Sequence, residues 1–317
     1  MVDQPLAPHR RPWTRRALLA AGAGAATAFA GVPRARASTA ATTRVGDAEV
    51  TVLTDGHLIQ PMAFILPDRP EAEIAALLTP HGLPIDAVQP DCNLTLLRID
   101  GRVVLFDAGS GPLFQNTVGK LPASLAAIGV DPAEVTDICF THAHPDHLWG
   151  VLDDFDEPVF PHARCWMNRT EWDFWRAPGT LDATPEARKT FVVGAQNRLE
   201  RIEDKIALFD AGNEPLPGIE AVASTGHTPG HTSFLIHRGG EGLLVVGDAI
   251  TNAVISFERP DWHTGSDQDP SKGADTRRRL LDRLAAERTR IVGFHLPYPG
   301  IGTVERVGGH YRFAPTV

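Results

Sequence analysis

The chain has 317 residues, 43% of them apolar and 22% charged, with a formal net charge of −9. That length and apolar share suffice to bury one large core or two ordinary ones. The acidic balance excludes a phosphate backbone as the main partner, and three cysteines exclude a disulfide framework as the source of stability.

Residues 1–37 read as an export signal rather than as part of the fold. His9, Arg10, Arg11, Arg15 and Arg16 precede an apolar, Ala-rich run over 17–32, and Ala35-Arg36-Ala37 forms a small-residue cleavage site. Thr14-Arg15-Arg16-Ala17-Leu18-Leu19 is similar to a twin-arginine signal, so the mature chain is expected from Ser38, in the periplasm or secreted. A run this rich in Ala and Gly is short for a membrane span, and no stable anchor is expected.

From Thr43 the pattern turns to strands. Residues 49–53 are β-rich and end in Thr54-Asp55-Gly56, a turn signal. Residues 60–90 are rich in Pro, Leu and acidic side chains, with a helix expected over 71–78, and read as an arm inserted over the site. Residues 93–99 and 102–106 form a hairpin around Asp100-Gly101, which suits a two-residue turn. Asp107, directly after it, is equally readable as a turn cap or as a support for a neighbouring ligand. A helix over 121–128 closes at Gly129, and Asp131-Pro132 opens a short one.

The buried strand Ile138-Cys139-Phe140 then runs into Thr-His-Ala-His-Pro-Asp-His, residues 141–147. Alternate residues of an extended segment project to the same side, so His142 and His144 reach one ion together. Pro145 ends the extended run, and Asp146 and His147 open a helix and point at a second position. Imidazole suits zinc and other late first-row metals, and a carboxylate binds a second ion or orients a water.

A strand is expected over 159–167, after which Asn168 caps a helix carrying Trp172, Phe174 and Trp175; one of the two tryptophans is expected to face a pocket. A helix starts at Thr184-Pro185-Glu186 and continues to about Arg201. Strands follow over 218–223, 233–237 and 243–247, a helix over 274–286, a strand over 290–294, and a hairpin of 303–306 with 310–313 around Gly308-Gly309. Three loops between them bring Gly226-His227-Thr228-Pro229-Gly230-His231, Asp248 and His295 to strand ends. His237 and His310 lack motif context and read as structural. Cys139 reads as a small core residue, and Cys92 and Cys165 are not expected to pair.

His-x-His-x-Asp-His, then His, Asp and His in that order resembles the metallo-β-lactamase superfamily. The resemblance implies an α+β fold, a single-domain αββα sandwich over 38–317, with two divalent metal ions, zinc, as cofactor. It implies that His142, His144 and His227 hold the first ion, that Asp146, His147 and His295 hold the second, and that Asp248 bridges them. His231 then supports the loop by hydrogen bonding, and Asp107 is a candidate for the same kind of role. Phe294-His295-Leu296-Pro297-Tyr298-Pro299-Gly300 and Tyr311-Arg312-Phe313 look like the methyl parathion hydrolase branch. By that likeness Phe114, Trp175 and Phe191 line a leaving-group pocket.

Two such ions, roughly 3.5 to 4 Å apart, share a water and lower its pKa towards 7, with Asp146 and Asp248 orienting it or carrying its proton. The resemblance thus implies hydrolysis of an ester-type bond in a small molecule, an aryl phosphotriester or an aryl ester or lactone. The alternatives are a lactonase with phosphotriesterase side activity, a β-lactamase-like activity, and a metal or redox protein of the same fold without hydrolysis. No nucleic-acid partner is expected, and whether the chain forms a homodimer is open.

Overall fold

A computed structural model describes residues 40–316 of the chain. The export signal expected over 1–37 lies outside the described residues. Strands β1 (Ala40–Val45), β2 (Ala48–His57), β5 (Asp91–Ile99), β6 (Arg102–Phe106), β7 (Asp137–Cys139), β8 (Arg164–Asn168) and β9 (Ile206–Phe209) form one sheet in that order. Between β2 and β5, the short pair β3 (Gln60–Pro61) and β4 (Ala87–Val88) belongs to the inserted arm, which carries helix α1 (Glu71–Leu78). The second sheet runs β10 (Ile219–Ala223), β11 (Thr232–Arg238), β12 (Glu241–Val245), β13 (Arg290–Val292), β14 (Ile301–Val307) and β15 (His310–Pro315).

Why these strands read as apolar runs rather than as alternations is clear from the layers. In β6, Val104 and Phe106 join the core between the sheets, together with Phe234 and Val245, while Val103 and Leu105 face the other way. There they meet Leu121 and Leu125 of α2 (Leu121–Ala127) and Leu199 of α5 (Lys189–Arg201). In β12, Leu243 and Val245 enter the same inter-sheet core, whereas Leu244 packs with Leu280, Leu281 and Leu284 of α6 (Pro270–Glu287). Both faces of both sheets are therefore buried, which gives the four-layer αββα sandwich and removes the polar phase of the strand pattern.

Two expectations are corrected here. Thr54-Asp55-Gly56 is not a turn: β2 continues to His57 through an irregularity at that point, and Asp55 is buried, accepting hydrogen bonds from the Ser110 and Leu121 backbone N–H groups. The strand expected over 159–167 starts only at Arg164, because residues 159–163 turn over the surface before pairing begins. The helix bounds 71–78 and the hairpin at Asp100-Gly101 stand as read. All three cysteines are buried and free.

The parallel pairs β6–β7, β7–β8 and β12–β13 place the ends of β7, β12 and β13 on one rim of the sandwich. That rim is where open α/β sheets bind ligands, since several chain turns converge there.

Candidate metal centre

His142 and His144 leave the end of β7, and helix α3 (Pro145–Leu148) begins at once, so the extended part and the first turn point to different places. His142 Nε2 lies 3.0 Å from His144 Nδ1, which lies 2.8 Å from His227 Nε2. The opposite ring nitrogens are already committed: His142 Nδ1 faces Thr141 Oγ1, itself a donor to Asp107, and His227 Nδ1 faces Asp267 Oδ1. Those partners fix the Nδ1–H tautomers, so two lone pairs converge on the third ring. Three buried imidazoles arranged this way fit a cation between them.

The second group is as close. His147 Nε2 lies 3.5 Å from Asp146 Oδ2 and 3.2 Å from Asp248 Oδ1; His295 Nε2 lies 3.2 Å from Asp146 Oδ2 and 3.3 Å from Asp248 Oδ2. Asp248 Oδ2 is also 3.2 Å from His227 Nε2, which puts this carboxylate between the two groups. Asp146 Oδ2, His147 Nε2 and Asp248 Oδ1 are buried without a hydrogen-bond partner. Buried polar atoms left without a partner are costly unless a ligand takes them, and three in one pocket fit metal ions. Donor atoms of His142, His144 and His227 lie within 4.8 Å of one another, as do those of His142, His147 and Asp248.

The supports are built as firmly as the ligands. Asp107, in the left-handed region at φ 62°, accepts from the Thr141 N–H at 2.7 Å and from His147 Nδ1 at 2.8 Å, which leaves His147 Nε2 bare. A non-glycine residue held there costs energy, and here it aims a carboxylate. Asp107 thus supports a ligand, as one of its two sequence readings has it. His231 is not among the converging rings: its Nε2 accepts the Asp248 N–H at 2.9 Å and its Nδ1 meets Ser224 Oγ at 2.8 Å. This approach needs a glycine at 247, since a Cβ there would stand 2.7 Å from His231 Nε2.

Three residues of the site gave no signal in the sequence. Glu171, on α4 (Arg169–Arg176), accepts from the Ala143 N–H, Trp175 Nε1, Thr228 Oγ1 and the Gly230 N–H, so one carboxylate ties the His142–His144 segment to the His227 loop. Asp267 orients His227 and lies 3.6 Å from the buried Arg277. Cys92 brings its sulfur within 4.8 Å of the Asp146 and His295 donor atoms, and burial pushes its thiol up to about 12. None follows from a motif, because each is placed by sheet or loop geometry.

Charge divides the histidines into two classes. Burial, then the neighbouring imidazoles, holds His142 and His144 well below the ordinary histidine range, and His231 falls to about 3 for the same reasons. For His147 and His295 burial also opposes charge, but Asp248 and Asp146 outweigh it and raise both well above that range. The metal-free chain therefore keeps protons where the second group would hold an ion.

A cavity of about 230 Å³ opens beside His144, walled by Trp175 and Phe191 with Arg188 and Gln268. Trp175 and Phe191 stand edge-on to the His144 ring, at centroid distances of 5.6 and 6.1 Å. Phe114 does not line it. It lies edge-on to Phe191 and Trp149, and so backs the wall instead of forming it, which corrects the sequence reading. Trp172 sits under Arg176, so Trp175 is the tryptophan that faces the pocket. Another cavity, of about 240 Å³ by Leu121 and Phe160, is lined by none of the converging residues.

Known proteins are similar to this chain in sequence and in fold. The model of the metallo-beta-lactamase superfamily matches residues 88–295. The solved structure of AidC, a dizinc quorum-quenching lactonase in complex with a product, is 30% identical, covering 88% of this chain and 98% of that one at a TM-score of 0.83. The hydrolase AbOPH is 26% identical over 89% of this chain and 99% of its own, also at 0.83. N-acyl homoserine lactonase AttM of Azorhizobium caulinodans is 26% identical over 170 residues, 52% of this chain, and the match spans 60% of that relative's length.

Proposed function

Because the chain belongs to the metallo-beta-lactamase superfamily, a metal-dependent hydrolase fold, we propose that it is a dizinc hydrolase that opens lactones. The observation that carries this is the pair of facing donor groups, His142, His144, His227 and Asp146, His147, His295, with Asp248 between them and three orphaned atoms turned inward. The likeness to AidC and AttM favours lactones over the methyl parathion hydrolase branch. The aromatic wall of Trp175 and Phe191 supports aryl phosphotriesters as a second reading, most simply as a side activity.

When bound, two divalent ions supply an activated water and neutralise charge that develops on the scissile carbonyl oxygen. The protein's own contribution is positioning. Thr141, Asp267 and Asp107 fix the tautomers of His142, His227 and His147, and His231 holds the Asp248 backbone. Asp248 Oδ1 and Oδ2 both face histidines of the two groups, so this carboxylate would hold the ions and orient the attacking water, whose proton goes to the leaving alkoxide. Trp175 and Phe191 keep bulk water from the His144 side of the cleft. Export of the mature chain from Ser38 is part of the proposal, and N-terminal sequencing of the protein recovered outside the cytoplasm tests it.

The test of the activity is hydrolysis by zinc-loaded chain of dihydrocoumarin, an aryl phosphotriester and a chromogenic cephalosporin, with the His142→Ala, His144→Ala double variant as control. The lactone is expected to show the highest kcat/KM and the control none. Dominance of the phosphotriester would move the reading to the parathion-hydrolase side, and activity retained in the control would remove the metal mechanism.

A further inference from the structure

Among the described residues Arg188 is the one charged side chain that lines the cavity beside His144, and no carboxylate lines it. Its guanidinium donates to the Gly265 carbonyl and lies over the Phe64 ring of the arm at 5.4 Å. Among the described residues no carboxylate stands within 4.0 Å of it. The nearby acids are taken: Glu186 pairs with Lys189, and Asp267 with His227 and Arg277. Gln268, across the same cavity, uses its backbone N–H on the His227 carbonyl, and its side chain makes no hydrogen bond among the described residues.

We propose that Arg188 makes this cavity a subsite for an anionic substituent, so that favoured substrates are compact esters or lactones carrying a carboxylate away from the scissile bond. The reacting bond in this statement rests on the lactonase reading; the anion subsite does not. A half-buried cation with no carboxylate within 4.0 Å and only the longer-range attraction of Asp267 is stabilised by an anion more than by a neutral carbonyl, and a guanidinium presents several parallel donors to a carboxylate. One donor is spent on Gly265, and the ring below closes one face, which leaves the open edge to the cavity. Phe64 and Gly265 hold that edge in place: a Cβ on Gly265 would stand 1.9 Å from the Phe64 carbonyl oxygen, so arm and loop are in direct contact there. The Trp175 and Phe191 wall takes the apolar body of the same molecule, and about 230 Å³ limits it to a small one.

The experiment compares metal-loaded wild type with Arg188→Gln and Arg188→Lys. Each is titrated calorimetrically with phenylacetate and phenylacetamide, which match in shape and differ in charge. Each is also assayed on a γ-lactone with a carboxylate side arm and on its primary amide. Wild type is expected to favour the acid over the amide roughly tenfold to a hundredfold in both readouts, the range of a hydrogen bond to a charged group. Arg188→Gln should lower both ratios about tenfold or more, and Arg188→Lys should retain the larger part of the preference, since the charge stays while the fork geometry goes. Any direct contact of phenylacetate with the metals is common to all three proteins and cancels from this comparison.

A wild-type ratio near one overturns the proposal whatever the variants do. So does a ratio that survives in Arg188→Gln at an unchanged melting temperature. Loss of the phenylacetate preference in Arg188→Gln without turnover of either lactone upholds the subsite and removes the lactonase reading. Turnover of both lactones without acid preference does the reverse.

Discussion

Glu171→Gln tests the idea that one carboxylate holds the two ligand-bearing loops together. Oε1 accepts from the Ala143 N–H at 3.0 Å and Trp175 Nε1 at 2.6 Å; Oε2 accepts from Thr228 Oγ1 at 2.7 Å and the Gly230 N–H at 2.9 Å. Burial pushes this carboxyl upward, yet three of its four partners can only donate, so the ionised form is the one the geometry requires. Glutamine keeps the shape and its NH₂ can donate to the Thr228 hydroxyl, but the Gly230 N–H then faces a donor. That charge-assisted hydrogen bond is lost at a site with 0% exposure, where no water takes its place. The cost is about 1.5 to 3 kcal/mol. With about 2 to 4 °C per kcal/mol for a domain of this size, the melting temperature should fall by roughly 5 to 10 °C. Zinc affinity should fall with it, because Ala143 sits between two ligands and Gly230 belongs to the loop of a third. Thermal melts and equilibrium dialysis of both proteins measure this. A melting temperature within about 2 °C of wild type and unchanged zinc occupancy would refute the reasoning, since the loss of a buried charge-assisted hydrogen bond cannot be that small.

Three further outcomes are expected. Asp267→Asn takes the charge from the acceptor that sets the His227 tautomer and should weaken zinc binding about tenfold to a hundredfold by competition with a chromogenic chelator; unchanged affinity would mean that a neutral acceptor, Arg277 and the loop suffice. Gly194→Ala places a methyl group 2.2 Å from the Trp149 ring and should cost about 1 to 3 kcal/mol in urea unfolding, with a stable variant showing that α5 shifts freely. Metal loading should release protons near neutral pH. His147 and His295, which burial discharges but Asp248 and Asp146 hold charged, lose their protons to the ions. The sign follows: raised pKa values mean that the proton competes below them, so affinity climbs as pH rises and falls on acidification. Calorimetry in buffers of different ionisation enthalpy measures the released protons, and none released would contradict the charge assignment.

The convergence of the donor groups was legible because much of it is local chemistry. His142, His144, Asp146 and His147 sit within one strand end and one helical turn, where spacing alone dictates which side chains share a side. His227, Asp248 and His295 each follow an apolar run and a glycine, so strand ends could be placed on the page. The αββα layering was implied by the same runs, and the hairpin at Asp100-Gly101 by its turn chemistry. What the sequence misjudged was governed by neighbours rather than by pattern. Thr54-Asp55-Gly56 has turn composition, but Asp55 is held by backbone donors of residues 110 and 121, so the strand runs on.

Only the tertiary structure placed Glu171 and Asp267 behind the converging histidines and decided between the two readings of Asp107. Glu171 reaches the Gly230 N–H across 59 residues and Asp267 reaches His227 across 40, and no periodicity encodes such contacts. The same holds for the pocket. Phe114 and Phe191 are equally aromatic in the sequence, yet one lines the cavity and the other stands behind it, because the position of α5 against the β6–α2 connection is fixed by packing in three dimensions. Metal-binding capacity is thus written in short-range spacing, while affinity and substrate choice depend on groups that only folding brings together.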